Sequence, residues 1–142
     1  MNPTLDKFGY PATLLRELEH WVILLRPEQV TFSSLVFAAK SAATAYSALP
    51  RAAFAEQGEA VALIERALAE VSRYEKINYL MLMMVDPNVH FHVLPRYSEP
   101  RSWDGVEFRD AGWPGAPQLG SGITLTADQI ARLTAELAAN FR

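Results

Sequence analysis

The chain of 142 residues contains no cysteine. Disulfides, thiol nucleophiles and thiolate-ligated zinc are thereby excluded. It has no excess of positive charge. Thirteen Lys and Arg stand against sixteen Asp and Glu, for a net charge of −3. Binding nucleic acid by neutralising phosphates needs the opposite balance, so no nucleic-acid partner is expected. Long apolar runs are missing too. The longest, Tyr79 to Val85, is far short of the ~20 residues that cross a bilayer. No cationic-then-apolar leader opens the chain, and no membrane partner is expected. A soluble, cytoplasmic protein follows as the expectation. Histidine is scarce, with three in all.

What is present is a chain half hydrophobic by count, enough for one ordinary core. A single domain over 1–142 is expected. Residues 21–25, Trp-Val-Ile-Leu-Leu, read as a strand buried on both faces and stopped by Arg26-Pro27. Residues 12–19 fit either a helical turn or the partner strand of a hairpin turning at Glu19-His20. Residues 34–39 read as a third strand. The clearest helix covers 51–73, where Phe54, Val61, Ile64, Leu68 and Val71 recur at spacings of 7, 3, 4 and 3 on one stripe. Pro50 suits its first turn, where no N–H is needed.

The run 77–85, Ile-Asn-Tyr-Leu-Met-Leu-Met-Met-Val, reads first as a central core strand. Its methionines leave a soft binding surface as the other reading. After a turn at Asp86-Pro87, a strand is expected over 89–94, ended by Pro95. Residues 98–122 hold three prolines and five glycines and are expected to be irregular, a binding loop or a mobile one. Trp103 and Trp113 lie there, able to stack on a base or to pack at an interface between subunits. Thr126 and Gln129 have the spacing of a capping box, which starts a last helix to about 140. Strands in succession without crossover helices predict an antiparallel sheet of about five strands. With one long central helix and a C-terminal helix, the class is α+β.

Two of the three histidines fall in Asn88-Val-His-Phe-His-Val-Leu-Pro. Alternation along a strand puts Asn88, His90 and His92 on one face and Val89, Phe91 and Val93 on the other. Imidazoles so arranged can serve as nucleophile, general acid, donor to a phosphate oxygen or metal ligand. A metal site would need a third ligand, for which His20, Asp86 and Glu99 are the candidates. A half-buried scaffold role is the alternative to all of these.

Val89-His-Phe-His-Val-Leu-Pro-Arg-Tyr97 resembles the signature of the histidine-triad family, and in particular of its diadenosine polyphosphate hydrolase-like members. Trp21-Val-Ile-Leu-Leu-Arg-Pro-Glu-Gln-Val-Thr31, and then Leu35-Val-Phe-Ala-Ala-Lys40, are similar to the family's early strands. The likeness covers residues 14–97. It implies a homodimer and a nucleotide bound at the histidine strand. It also implies hydrolysis or transfer at the α-phosphate, with no metal or other cofactor. His90 matches the central, nucleophilic histidine and His92 the last, which holds a phosphate oxygen. The catalytic candidates are therefore His90, His92 and Asn88. Arg26, Lys40 and Asn78 are the candidate ligand-binding residues.

The chain departs from the pattern in several places. Asn88 replaces the first histidine and cannot ionise near neutral pH. Met83-Met84-Val85-Asp86 stands where a polar phosphate loop is usual, and Asp86 would repel an anion. Arg26 occupies the place of a ribose-binding acid, and Ser41-Ala42-Ala43 lacks a further histidine. These departures leave a second reading open, a divergent nucleotide-binding dimer without efficient catalysis.

Overall fold

The computed structural model describes residues 2–142. The chain begins with an element that the sequence reading passed over. Asn2 caps a short helix α1 (Pro3–Lys7) by accepting from Leu5 N–H, and proline fills the first helical position. The Asn2 amide also donates to the carbonyls of Ala39 and Ser41, at 3.0 and 2.9 Å, which ties α1 to the sheet.

Residues 12–19 resolve into the hairpin alternative. β1 (Leu14–Glu17) runs antiparallel to β2 (Trp21–Leu25). β3 (Glu28–Gln29) is a two-residue strand, and β4 (Leu35–Ala39) pairs antiparallel with β2. Helix α2 (Arg51–Ser72) follows. Next come β5 (Lys76–Leu80) and β6 (His90–Arg96). β7 (Arg101–Trp103), β8 (Val106–Phe108), β9 (Ile123–Thr124) and helix α3 (Ala127–Ala138) complete the fold. The main sheet has five strands in the order β1-β2-β4-β6-β5, every neighbouring pair antiparallel. The class is α+β, as expected.

The central strands are buried on both faces, which is why 21–25 shows no alternation. One face carries Trp21, Ile23, Leu35, Phe37 and Val93 against Ile64 and Leu68 of α2 and Leu133 and Leu137 of α3. The other face presents Val22, Leu24, Val36 and Ala38 to Leu5 and Phe8 of the N-terminal segment. The Thr126 capping box is formed.

Several expectations need correction. The run 77–85 is not a central strand. β5 lies at the sheet edge and stops at Leu80, and Met84 is 85% exposed. An unbroken apolar run is compatible with burial on both faces but does not require it. Here Ile77, Tyr79, Met81 and Met83 pack against the core, but the strand has ended by Met83, which stands at φ 50°. Residues 21–25, by contrast, are interior and offer no free edge. Pro95 does not end β6, because β4 stops opposite Val93 and no bond to it is lost. Phe54 leaves the apolar stripe of α2, 40% exposed under the Tyr46 ring. Pro50 is the residue before α2 rather than within its first turn.

The stretch 98–122 is not wholly irregular. It contains the β7–β8 hairpin, turned by Asp104-Gly105, both at positive φ. Trp103 is fixed there by donating to Glu136 of α3, with the Arg132 guanidinium over its ring.

Candidate functional site

The register of β6 against β4 puts His90 opposite Ala38 and His92 opposite Val36. Both imidazoles therefore stand on the face covered by α1, and the small Ala38 leaves room for one of them. They are 2% and 8% exposed. Their ring centres are 5.1 Å apart, nearly perpendicular. Phe8 packs against both, at 5.8 and 5.7 Å between centroids.

Hydrogen bonding sets each ring. Nδ1 of His90 lies 2.7 Å from the Asn88 carbonyl oxygen. A carbonyl can only accept, so Nδ1 carries the proton and donates. In the neutral ring Nε2 then keeps its lone pair. His92 is set the other way. Arg26 donates from Nε to His92 Nδ1 over 3.3 Å, so the neutral His92 carries its proton on Nε2. The pair thus presents one bare ring nitrogen and one N–H. Burial, then the positive charge of Arg26, holds His92 down to a pKa of about 4. It is neutral throughout the physiological range.

His90 and His92 line a cleft of about 390 Å³. Lys7 and Phe8 form one wall, Arg26 to Glu28 another, and Leu82 to Asp86 a third. Arg26 is held by donating from Nη1 to the carbonyl of Glu28. Asp86, expected to repel an anion, is paired with Lys7 at 2.9 Å across the cleft. The segment from Leu82 to Val85 therefore faces the cleft. Met81 and Met83 of this run also pack against the core.

The other candidates lie elsewhere. Asn88 precedes β6, with its side chain engaged on both sides. Thr4 donates to its Oδ1 at 2.9 Å, and its Nδ2 donates to Ala42 O at 3.0 Å. Lys40 does not line the cleft, since its ammonium bonds Glu17 and the carbonyl of Leu18 beside the β1–β2 turn. Asn78 is also apart from the cleft. It accepts from Arg96 at 2.8 Å, and Arg96 is itself buried and forked onto Asp110. Among the described residues no three His, Asp or Glu side chains gather as a metal-binding group. His20 and Glu99 are not among the lining residues. Lys7 and Phe8 were missed by sequence reasoning. The signal available was Asn2-Pro3, a helix start that brings an aromatic residue to the sheet.

No family model matches the chain, and no curated protein does. Solved structures do. A histidine triad protein of Bradyrhizobium japonicum superposes with a TM-score of 0.70 at 15% identity, covering 100% of this chain and 97% of that one. A hypothetical histidine triad nucleotide-binding protein of Sulfolobus tokodaii gives 0.66 at 14% identity, covering 97% and 89%. The diadenosine triphosphate hydrolase of Plasmodium falciparum gives 0.68 at 6% identity, covering 96% and 92%. Identities this low establish likeness of fold. The chain has the histidine-triad fold over essentially its whole length.

Proposed function

On this histidine-triad fold, we propose a nucleotide hydrolase or transferase that acts at the α-phosphate through a His90 nucleotidyl intermediate. The observation that carries the reading is the 2.7 Å bond from His90 Nδ1 to the Asn88 carbonyl, which leaves Nε2 bare in a residue lining the cleft. Nε2 attacks phosphorus, and the bond to the leaving group breaks with its electron pair. The leaving group takes up a proton from solvent, which the water of the second step returns. Water then cleaves the P–N bond and frees the nucleoside monophosphate. His92 donates Nε2–H to a phosphate oxygen, and Arg26 adds a fixed positive charge beside it. Neither group needs to change protonation state for this role. The chain works in the cytoplasm as a homodimer, and phosphoanhydrides such as diadenosine polyphosphates and phosphoramidates are the substrates to assay.

The test follows nucleoside monophosphate release from an adenylyl phosphoramidate and a diadenosine polyphosphate, in wild type and His90→Ala. The reading expects turnover in the first and a loss of at least roughly a hundredfold in the second. Equal rates would overturn it.

A second reading, a binding module without efficient chemistry, has its own support. The charges lining the cleft balance, with Lys7 and Arg26 against Glu28 and Asp86. Such a cleft attracts a polyanion weakly. Saturable AMP binding by calorimetry, without release of product from any of these substrates, would favour it over the first.

A further inference from the structure

A second opening, of about 450 Å³, lies at the other end of β6 and shares no lining residue with the histidine cleft. Its volume falls in the ~300–1,000 Å³ range of small-molecule sites. Lys76 of β5 stands directly opposite Arg96 of β6, so both side chains leave the sheet on one face. Asn78 lies two residues along on the same face. The facing wall is the turn 113–116. Arg96 holds that wall in place. It is 4% exposed, forks onto Asp110, and donates from Nη2 to Gly115 O at 2.8 Å. With the bond to Asn78 Oδ1, four of its five N–H groups are used. Gly112 lets the turn close, since a Cβ there would fall 2.0 Å from Ala116 O.

The side chains around this opening offer donors and no carboxylate. No Asp or Glu lines it, and Asp110 is spent on Arg96 and the Tyr97 N–H. The histidine cleft, by contrast, sets two acids against Lys7 and Arg26. Lys76 is exposed and enters no ion pair among the described residues. One Nη1 N–H of Arg96 is left over. Trp113 is half-buried yet belongs to neither apolar cluster. The indoles of Trp21 and Trp103 donate to Ala53 O and Glu136, whereas that of Trp113 has no partner among the described residues.

We propose that this opening is a second ligand site, for a small anion joined to a flat ring. Lys76 and the remaining Arg96 N–H take the anionic group, a carboxylate or a phosphate. The ring lies against Trp113, which offers a wide apolar face and one N–H. The wall is set before any ligand arrives, because the buried Arg96 already ties the turn to β6. This site does not rest on the nucleotide reading of the histidine cleft.

The test is NMR on the full chain, titrated with phenyl phosphate as the probe. The chain has three tryptophans, and Trp113→Phe assigns the Trp113 indole signal by its loss. That signal and the backbone N–H of Gly115 are expected to shift saturably. Half-saturation is expected on the order of 1 mM, the affinity of a fragment-sized ligand. Lys76→Ala is expected to weaken binding by about threefold, the scale of one exposed charge pair. Trp113→Ala, read at Gly115, is expected to weaken it at least ~fivefold, the low end for a ring stacked on an aromatic side chain. Both side chains stand outside the core clusters, so these variants keep the fold. Arg96 is left intact, because its loss would strand the buried Asp110. Benzoate in place of phenyl phosphate tells a carboxylate from a phosphate, the tighter binder naming the preferred group. Inorganic phosphate and phenol are each expected to bind more weakly than phenyl phosphate. Signals unmoved by both phenyl phosphate and benzoate overturn the proposal. Equal binding of inorganic phosphate or of phenol does so too, as does an unchanged half-point in Lys76→Ala. A Trp113 signal that responds to protein concentration but to neither probe assigns the indole to contact between copies and also overturns it.

Discussion

Arg26 and His92, 66 positions apart in the chain, meet where the guanidinium Nε donates to the imidazole Nδ1. The contact fixes the tautomer of His92 and places a permanent positive charge against a ring whose unperturbed form protonates near pH 6.5. Burial makes the larger contribution to holding its pKa down to about 4, and Arg26 the next. Replacing Arg26 by alanine should therefore raise the His92 pKa only part of the way back, since the ring stays buried. A proton NMR titration of the C–H shifts of His92 in both proteins checks this. A fall in the pKa on removing Arg26 would contradict it.

The same depression has a stability consequence with a definite sign. The unfolded chain takes up a proton on this ring near pH 6.5, and the folded protein only near pH 4. Stability from His92 is thus fully present above about pH 6.5 and is lost as the pH falls toward 4. Urea midpoints measured across this window should decline in wild type and flatten in His92→Gln, once the carboxylate titrations common to both are subtracted.

Phe8 covers both imidazoles and belongs to the smaller apolar cluster with Leu5, Val22, Leu24 and Val36. Truncation to alanine should cost about 3 kcal/mol, the scale for a buried phenylalanine at a site that relaxes only in part. It should also raise the His92 pKa by admitting water. Chemical denaturation gives the first quantity and the NMR titration the second.

The Lys7–Asp86 pair bridges two walls of the cleft at 2.9 Å, with Lys7 half exposed. An exposed pair of this kind adds only ~0.2–1 kcal/mol to stability. Its effect on ligands should be larger. Asp86→Asn removes a negative charge from the lining of the cleft proposed to take the phosphate, and on that proposal should tighten AMP binding several-fold at low salt, with the gain shrinking as salt is added. Lys7→Ala should weaken binding under the same conditions. Calorimetry at two ionic strengths reads both, and equal affinities in all three proteins would contradict it.

Much of this architecture was legible because the interior strands and α2 and α3 carry their burial in their own residues. Trp21–Leu25 is apolar throughout because both sheet faces are covered. Thr126 and Gln129 announce α3 by local hydrogen bonding that needs no tertiary context. The run 77–85 misled because periodicity reports apolarity and not position in a sheet. Only the register against β6 shows that β5 is an edge and that its continuation leaves the sheet. The histidine pair was readable from strand alternation alone, whereas its setting was not. The bonds that assign the tautomers come from Arg26, which lies 66 residues from His92, and from the Asn88 backbone. The contact from Thr4 spans 84 residues. Lys40 and Asn78 were candidates through the likeness to the family, and the fold gives them partners in Glu17 and Arg96 away from the cleft lining.

The departure of residues 81–85 from the sheet has a simple check. Met84→Asp, at an exposed position on the cleft wall, should change stability by no more than about 0.5 kcal/mol. The same substitution in a central strand would cost several times that. A large loss in the denaturation midpoint would restore the core-strand reading of this segment.

The account turns on the bare Nε2 of His90, and the most direct measurement is mass spectrometry of protein quenched with acid-sparing denaturant during turnover of a nucleotide substrate. The expected result is a mass gain of one nucleotidyl group, mapped to His90 and absent from His90→Ala. Steady turnover with no adduct, or an adduct that persists in His90→Ala, would contradict the account.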